Sequence, residues 1–261
     1  MPNRVIDFFI IGVQKGGTTA LDRFLRKHSQ VQMAKVKELH FFDDDSLNWE
    51  RPDYTRLHEA FDWETPNPFI RGEATPIYSY WPHSIQRLRN YNRNAKLILS
   101  LRHPSFRAYS HWRMEVSRGA ENLSFSAAIK STGRQRVSQS TNGVHRIYSY
   151  VERGFYAAQI ERLFNCFDPQ QITFLRTDHL WKHGQTVIVG IQDFLGISRQ
   201  INVQREYVAP LVTEKLAAIP PDDLAFLNAL FADDIIRTAK LTHLPLDDWL
   251  DPRYVDPMIR A

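Results

Sequence analysis

The chain has 261 residues, 43% of them hydrophobic and 12% aromatic, enough apolar material to fill a sizeable core and to exclude a disordered chain. Its single cysteine, Cys166, excludes an internal disulfide and reads as structural, because it lies in the helical apolar pattern Tyr156, Ile160, Leu163, Phe164 and Phe167. A formal net charge of +4 fits a protein that handles anions and equally a solvated mixed-charge surface; no basic run interleaved with aromatics marks a nucleic-acid groove.

In chain order, residues 6–13, apolar but for Asp7, run into a glycine-containing loop, which predicts a strand buried on both faces and therefore a parallel sheet. That run is too short to span a membrane and has no signal-peptide cleavage pattern, so a cytoplasmic protein without membrane insertion is expected. After the loop, Thr18 or Thr19 is placed to cap a helix that carries Ala20, Leu21, Phe24 and Leu25 on one face and ends near Ser29. A short strand is expected over 69–73 and a helix over 81–91, with Pro82 in its first turn. Residues 96–101 read as a second central strand, and Pro104 opens the next helix. Residues 118–146 are rich in Ser, Gln, Gly and Arg without a clear period, which predicts a mobile surface segment or lid. A helix over 156–167, a strand over 172–175 and a helix over 187–195 continue the alternation, and 222–232 reads as a last helix. This order predicts an α/β fold with a parallel central sheet flanked by helices, as a single domain over 1–261.

The loop Gly12-Val13-Gln14-Lys15-Gly16-Gly17-Thr18-Thr19 has the parts of an anion site. Gly16 and Gly17 permit close backbone approach, the following helix start offers free amides, Lys15 adds a charge, and Thr18 and Thr19 add hydroxyls. Its lysine precedes the glycine pair, unlike the phosphate loop of nucleotide triphosphatases, and so lacks their Ser/Thr–Mg²⁺ arrangement.

Together with two further blocks, this loop resembles the sulfotransferases that use 3′-phosphoadenosine-5′-phosphosulfate (PAPS), closest to the heparan sulfate 3-O- and N-sulfotransferase branch and its bacterial relatives. The other blocks are Lys37-Glu38-Leu39-His40-Phe41-Phe42-Asp43, similar to the catalytic block, and the stretch from Leu97 through Arg102, Pro104 and Arg107 to Ser110, similar to the 3′-phosphate block. The likeness spans roughly residues 6–195 and includes Arg153-Gly154-Phe155-Tyr156. It implies a P-loop-like sulfotransferase fold, PAPS as donor, PAP (3′-phosphoadenosine 5′-phosphate) as product, and no metal.

Arg102 at a strand end and Ser110 two turns into the next helix can face one crevice, and a guanidinium with a hydroxyl suits a phosphate dianion. Read alone they are equally a salt-bridge residue and a helix-surface residue; the resemblance implies 3′-phosphate ligands. Glu38 and His40, two apart, project to one face if extended. The bland reading pairs Glu38 with Lys35 or Lys37 on a solvated loop. The resemblance instead implies that Glu38 is the base that takes the acceptor proton, that His40 orients the acceptor or shares its proton network, and that Lys15 stabilises charge at the leaving phosphate.

The acceptor is expected to be a hydroxyl or amine on a carbohydrate, glycolipid or secondary metabolite. Two departures from the family bear on it: Ala74 stands where the heparan sulfate enzymes carry a lysine, and the Lys-Gly-Arg stretch that closes over the donor has no clear counterpart, leaving Arg134, Arg136 or Arg146 as cover. Asp43-Asp44-Asp45 reads as a solvated turn, since consecutive carboxylates do not converge on one ion. Trp63, Trp81 and Trp112 read as packing residues. The rival enzyme class, a P-loop nucleotide-dependent kinase or NTPase, needs Mg²⁺ ligands, and the strand that would supply an Asp ends in Arg102.

Overall fold

The computed structural model describes residues 4–64, 70–200 and 218–257. Its elements are β1 (Phe8–Gly12), α1 (Thr18–Arg26), β2 (Val31–Met33), α2 (Thr55–His58), β3 (Ile70–Ala74), α3 (Ser84–Tyr91), β4 (Lys96–Leu101), α4 (Pro104–Ser117), α5 (Phe125–Ile129) and α6 (Ser131–Ser138). Beyond these come α7 (Tyr156–Phe164), β5 (Ile172–Arg176), α8 (Thr177–Lys182), α9 (Gly184–Leu195) and α10 (Pro221–Thr242). The strands form one sheet in the order β2-β3-β1-β4-β5, parallel at every pairing, as the alternation of apolar runs and helices predicts. All five residues of β1 are buried, as befits a central strand covered on both faces. The strand order reverses between β1 and β4, where parallel sheets bind ligands beyond their carboxyl ends.

Contacts divide the chain into two units whose segments interrupt one another in sequence. The first holds residues 1–13, 17–101 and 162–208; the second holds 14–16, 102–161 and 209–261. In the first, Phe8 and Ile10 pack with Leu21 and Leu25 of α1 and Ile188, Ile191 and Leu195 of α9. On the other side of β1, Phe9 meets Phe42 and Tyr91 edge-on at 5.7 and 6.4 Å, and Phe42 also packs on Phe41 and Tyr78. An aromatic cluster thus ties the irregular stretch after residue 37 to the central strand. Ala74 lies in the core cluster at 2% exposure.

In the second unit α10 is twice as long as its sequence suggests, because its buried stripe Leu227, Phe231, Ile235 and Thr238 continues through the pair Asp233-Asp234. Asp234 is not a stop signal: its carboxylate accepts from Tyr156 N at 2.7 Å and Ala157 N at 3.3 Å, capping α7 from a neighbouring helix. Residues 118–146, expected as an aperiodic surface segment, carry α5 and α6. Only Gly133 and Val137 of α6 are buried, so no apolar period marks it, and ion pairs hold it in place instead. Arg136 pairs with the buried Glu121 at 2.6 Å and Arg134 with Glu152 at 2.9 Å. These two arginines are therefore engaged with carboxylates rather than presented as cover for a nucleotide; the Arg146 carbonyl accepts from Arg153.

Smaller differences are local. α1 ends at Arg26, β3 starts at Ile70, α3 starts at Ser84, and α7 stops at Phe164, leaving Cys166 partly exposed beyond it rather than inside a buried helix face. β2 and α8 escape pattern reading because they are three and six residues long. The indole N–H groups of Trp63, Trp81 and Trp112 donate to His58 O, Asp45 and Leu123 O, in keeping with packing roles. Among the described residues no helix is long and apolar enough to cross a membrane.

Candidate functional site

The loop after β1 passes close to its neighbours from its first residue: a Cβ on Gly12 would lie 2.5 Å from Ser79 Oγ and 2.7 Å from a Leu99 methyl, which only glycine avoids. Gly17, at φ 78°, is the N-cap of α1, so Thr18 and Thr19 are its first helical residues rather than its cap. No side chain caps this helix; Ala20 N donates to the Gly17 carbonyl at 3.0 Å, while Thr18 N and Thr19 N ahead of it have no intrahelical acceptor. Lys15 sits at φ 69°, a left-handed conformation uncommon for a residue with a Cβ. Such strain is retained where the local shape is needed.

Within the second unit Lys15 Nζ donates to Met114 Sδ at 3.7 Å, and its carbonyl accepts from Arg102 Nη1 at 3.2 Å. Arg102 is 6% exposed and donates from Nε to Asp256 at 2.6 Å, while its own carbonyl accepts from the Tyr156 hydroxyl. The guanidinium is thus fixed by two of its nitrogens, and among the described residues none takes Nη2. Ser110 lies half-buried on α4; Arg102 is bonded to Asp256 and the Lys15 carbonyl, not to Ser110. Arg153 holds Gln14 at 2.5 Å. Burial first, then the charges of Arg153, Arg107 and Lys15, keep the enclosed His111 well below the usual imidazole range, which registers positive potential beside the lysine. Preset cations and strained backbone of this kind suit a multiply charged anion.

The first unit holds the other predicted residues. His40 Nε2 lies 3.4 Å from Glu38 Oε2, so the two side chains meet, although through a turn with His40 at φ 50° rather than an extended strand. Lys37 also bonds Glu38, at 2.7 Å, so the bland pairing is present alongside the convergent one. Sequence reasoning missed Asp43: it is fully buried, and its carboxylate accepts from His40 Nδ1 at 2.9 Å, so it belongs to no solvated turn. The spacing His40 to Asp43 is the signal that was available. Asp44 and Asp45 do face outward, toward Arg56 and Arg87.

The three carboxyl groups here divide by environment. Burial opposes ionisation of Glu38, but the His40 imidazole and Lys37 ammonium outweigh it and hold its carboxyl down at about 2. Hydrogen bonds to Asp43 and Glu38 push His40 up to about 9. Burial, joined by the charges of Glu38 and Asp43, pushes the enclosed Glu73 up to about 7 against its bonds with Thr75 and Leu39. Glu38 and His40 are therefore an ion pair across the neutral range.

Linkage gives these shifts a sign. The raised His40 contributes stability that is full below its ordinary 6.5 and lost as pH rises through about 9. The raised Glu73 contributes stability that is full below 4.5 and lost as pH rises through about 7. The melting temperature of the parent relative to Glu73→Gln is expected to fall as pH rises from 4.5 to about 7 and to stay level above that. A variant profile parallel to that of the parent would contradict the assignment.

Comparison with known proteins bears directly on this arrangement. The Sulfotransferase domain family profile matches residues 6–220. The human heparan sulfate glucosamine 3-O-sulfotransferase 3B1 is 31% identical over 202 residues, covering 76% of this chain and 48% of that protein. The mouse bifunctional heparan sulfate N-deacetylase/N-sulfotransferase 3 is 28% identical over 95% of this chain and 31% of its own length. The chain spans about half the length of the 3-O-sulfotransferases it matches. A sulfotransferase crystal structure from Alicyclobacillus acidocaldarius superposes with a TM-score of 0.79 at 26% identity, over 94% of this chain and 99% of that one. A mouse sulfotransferase solved with PAP shares the fold at a TM-score of 0.52 and 14% identity, over 91% of this chain and 85% of that one.

Proposed function

The chain belongs to the sulfotransferase domain family, and on that premise we propose that it transfers a sulfuryl group from PAPS to a hydroxyl or amine by in-line displacement, with Glu38 as base. The observation that carries the reading is the ion pair of Glu38 with His40, itself held by buried Asp43. An NTP-binding module has no use for such a carboxylate–imidazole–carboxylate chain.

The donor loop suits the group the family uses: Lys15 and Gly17 are left-handed and the helix start that follows is open, while Arg102 is held by Asp256 and the Lys15 carbonyl. In this reading Lys15, Gly16, Gly17, Thr18 and Thr19 hold the 5′-phosphosulfate end, and Arg102 through Nη2, with Ser110, holds the 3′-phosphate. When bound, the donor supplies a sulfuryl group on a phosphate leaving group. Glu38 accepts the acceptor's proton as the acceptor oxygen or nitrogen attacks sulfur, and His40, protonated below about pH 9, keeps the carboxylate oriented. Lys15 offsets the charge that develops on the leaving phosphate oxygen.

A carboxylate held at about 2 is a weak base in the resting protein. Its basicity rises when the acceptor hydroxyl takes the place of the Lys37 ammonium now bonded to Oε1 at 2.7 Å. Acceptor binding and base activation are then one event.

For the acceptor, the proposal is a neutral carbohydrate, glycolipid or secondary metabolite. Ala74, buried in the core where the heparan sulfate enzymes carry a lysine, removes a cation that a polyanionic chain would use. Incubation with radiolabelled PAPS and a panel of neutral glycosides, glycolipids, amines and sulfated polysaccharide is expected to label a neutral acceptor. Label found only on the polysaccharide would overturn this part of the reading.

A further inference from the structure

Residues 39–42 follow the Lys37-Glu38 pair and belong to no helix or strand; Phe41 and Phe42 are buried, Leu39 is half-buried and His40 exposed. Their four consecutive backbone N–H groups all end on side chains from one short stretch, residues 73–78. Leu39 N donates to Thr75 Oγ1 at 3.1 Å and to Glu73 Oε1 at 3.3 Å. His40 N donates to Thr75 Oγ1 at 3.4 Å. Phe41 N and Phe42 N donate to the Tyr78 hydroxyl at 3.1 and 3.4 Å.

The donor and acceptor roles are mutually consistent. Thr75 has one hydroxyl proton, which it gives to Glu73 Oε1, so its oxygen is turned toward the amides of Leu39 and His40 as an acceptor. Glu73, Thr75 and Tyr78 are each at most 1% exposed, so the acceptor side chains are withheld from water. Pro76, between Thr75 and Tyr78, has no N–H of its own and fixes the local φ. At the centre of the templated segment His40 takes its φ of 50°, and that turn is what brings its ring within 3.4 Å of Glu38 and 2.9 Å of Asp43.

We infer that Glu73, Thr75 and Tyr78 are positioning residues: a side-chain template at the end of β3 that sets the backbone of residues 39–42 and thereby the geometry of the Glu38–His40–Asp43 chain. The inference rests on the proposed role of Glu38 as base. In its absence the four amides would have no acceptor in place, and the turn would relax toward ordinary backbone angles. A misplacement of about 1 Å in a reacting group costs on the order of 10²-fold in rate.

The test compares Thr75→Val, which keeps the side-chain shape and deletes the acceptor, with Thr75→Ser, which restores it, and with Tyr78→Phe, which keeps the ring in its cluster and deletes the hydroxyl. The expected result is a fall in kcat of about 10²-fold for Thr75→Val, with unchanged affinity for PAP. Thr75→Ser is expected to recover most of the rate, and Tyr78→Phe to fall between them. The His40 ring titration, followed by NMR, is expected to move down from about 9 in Thr75→Val, because its contacts with Asp43 and Glu38 loosen. Should Thr75→Val not fold, Tyr78→Phe carries the same comparison. A folded Thr75→Val or Tyr78→Phe with parental kcat and parental His40 titration overturns the inference. Glu38→Gln run in parallel separates the two readings: if it is inactive while the template variants are fully active, the template fails and the base stands; if Glu38→Gln is itself fully active, the base reading fails.

Discussion

Replacing Glu38 with glutamine is expected to lower turnover by about 10²–10⁴-fold, the contribution of a positioned general base, while leaving affinity for PAP unchanged. Glutamine keeps the size of the side chain and can still accept from Lys37, so the loss isolates proton removal from shape. The His40 ring should respond as well. One of the two hydrogen bonds that push it up to about 9 loses its charge, and its titration midpoint should move down while the Asp43 bond keeps it above 6.5. Single-turnover transfer of labelled sulfuryl, read beside a PAP titration, checks both halves. Equal loss of binding and turnover would instead place Glu38 in the donor site.

Arg102→Lys is expected to weaken PAP binding by about 10–10²-fold, matching the roughly 1.5–3 kcal/mol of a hydrogen bond to a charged group, and to erase the preference for PAP over its 3′-dephospho counterpart AMP. The reason lies in the fork. Arg102 holds Asp256 with Nε and the Lys15 carbonyl with Nη1 and still has Nη2 to offer, whereas an ammonium has no such fixed plane. Arg102→Ala is a poorer probe, because it also breaks the buried ion pair with Asp256, a loss of about 3–5 kcal/mol. Pairing it with Asp256→Ala restores neutrality, and the double variant should melt higher than Arg102→Ala alone. Loss of AMP and PAP binding in equal measure would show that Arg102 does not read the 3′-phosphate.

The parts of the molecule that could be read from sequence are those whose chemistry is local. β1 declares itself as a continuous apolar run, and Lys15, Gly16 and Gly17 follow it within a handful of residues. The parallel sheet follows from the alternation of such runs with helical periods. What escaped reading depends on partners far along the chain. Asp256 meets Arg102 across 154 positions, and Asp234 caps α7 across 78. The acceptors of residues 39–42 come from more than 30 positions downstream. Asp43 was misjudged because three consecutive aspartates look like a solvated turn, whereas the backbone turn at His40 sends the first inward and leaves the other two outside. Helix α6 escapes pattern reading for a different reason: ion pairs to Glu121 and Glu152 replace the apolar stripe by which helices are recognised, while α5 buries Phe125, Ala128 and Ile129 but is only five residues long.

As proposed, a 3′-phosphorylated adenylate is bound by Lys15, the amides of the loop and Arg102. The most direct measurement is a calorimetric titration of the protein with PAP, AMP, ADP and ATP, each with and without Mg²⁺. Tight binding of PAP that is indifferent to Mg²⁺, with AMP, ADP and ATP much weaker, is the predicted result. Preference for ATP that depends on Mg²⁺ would contradict it.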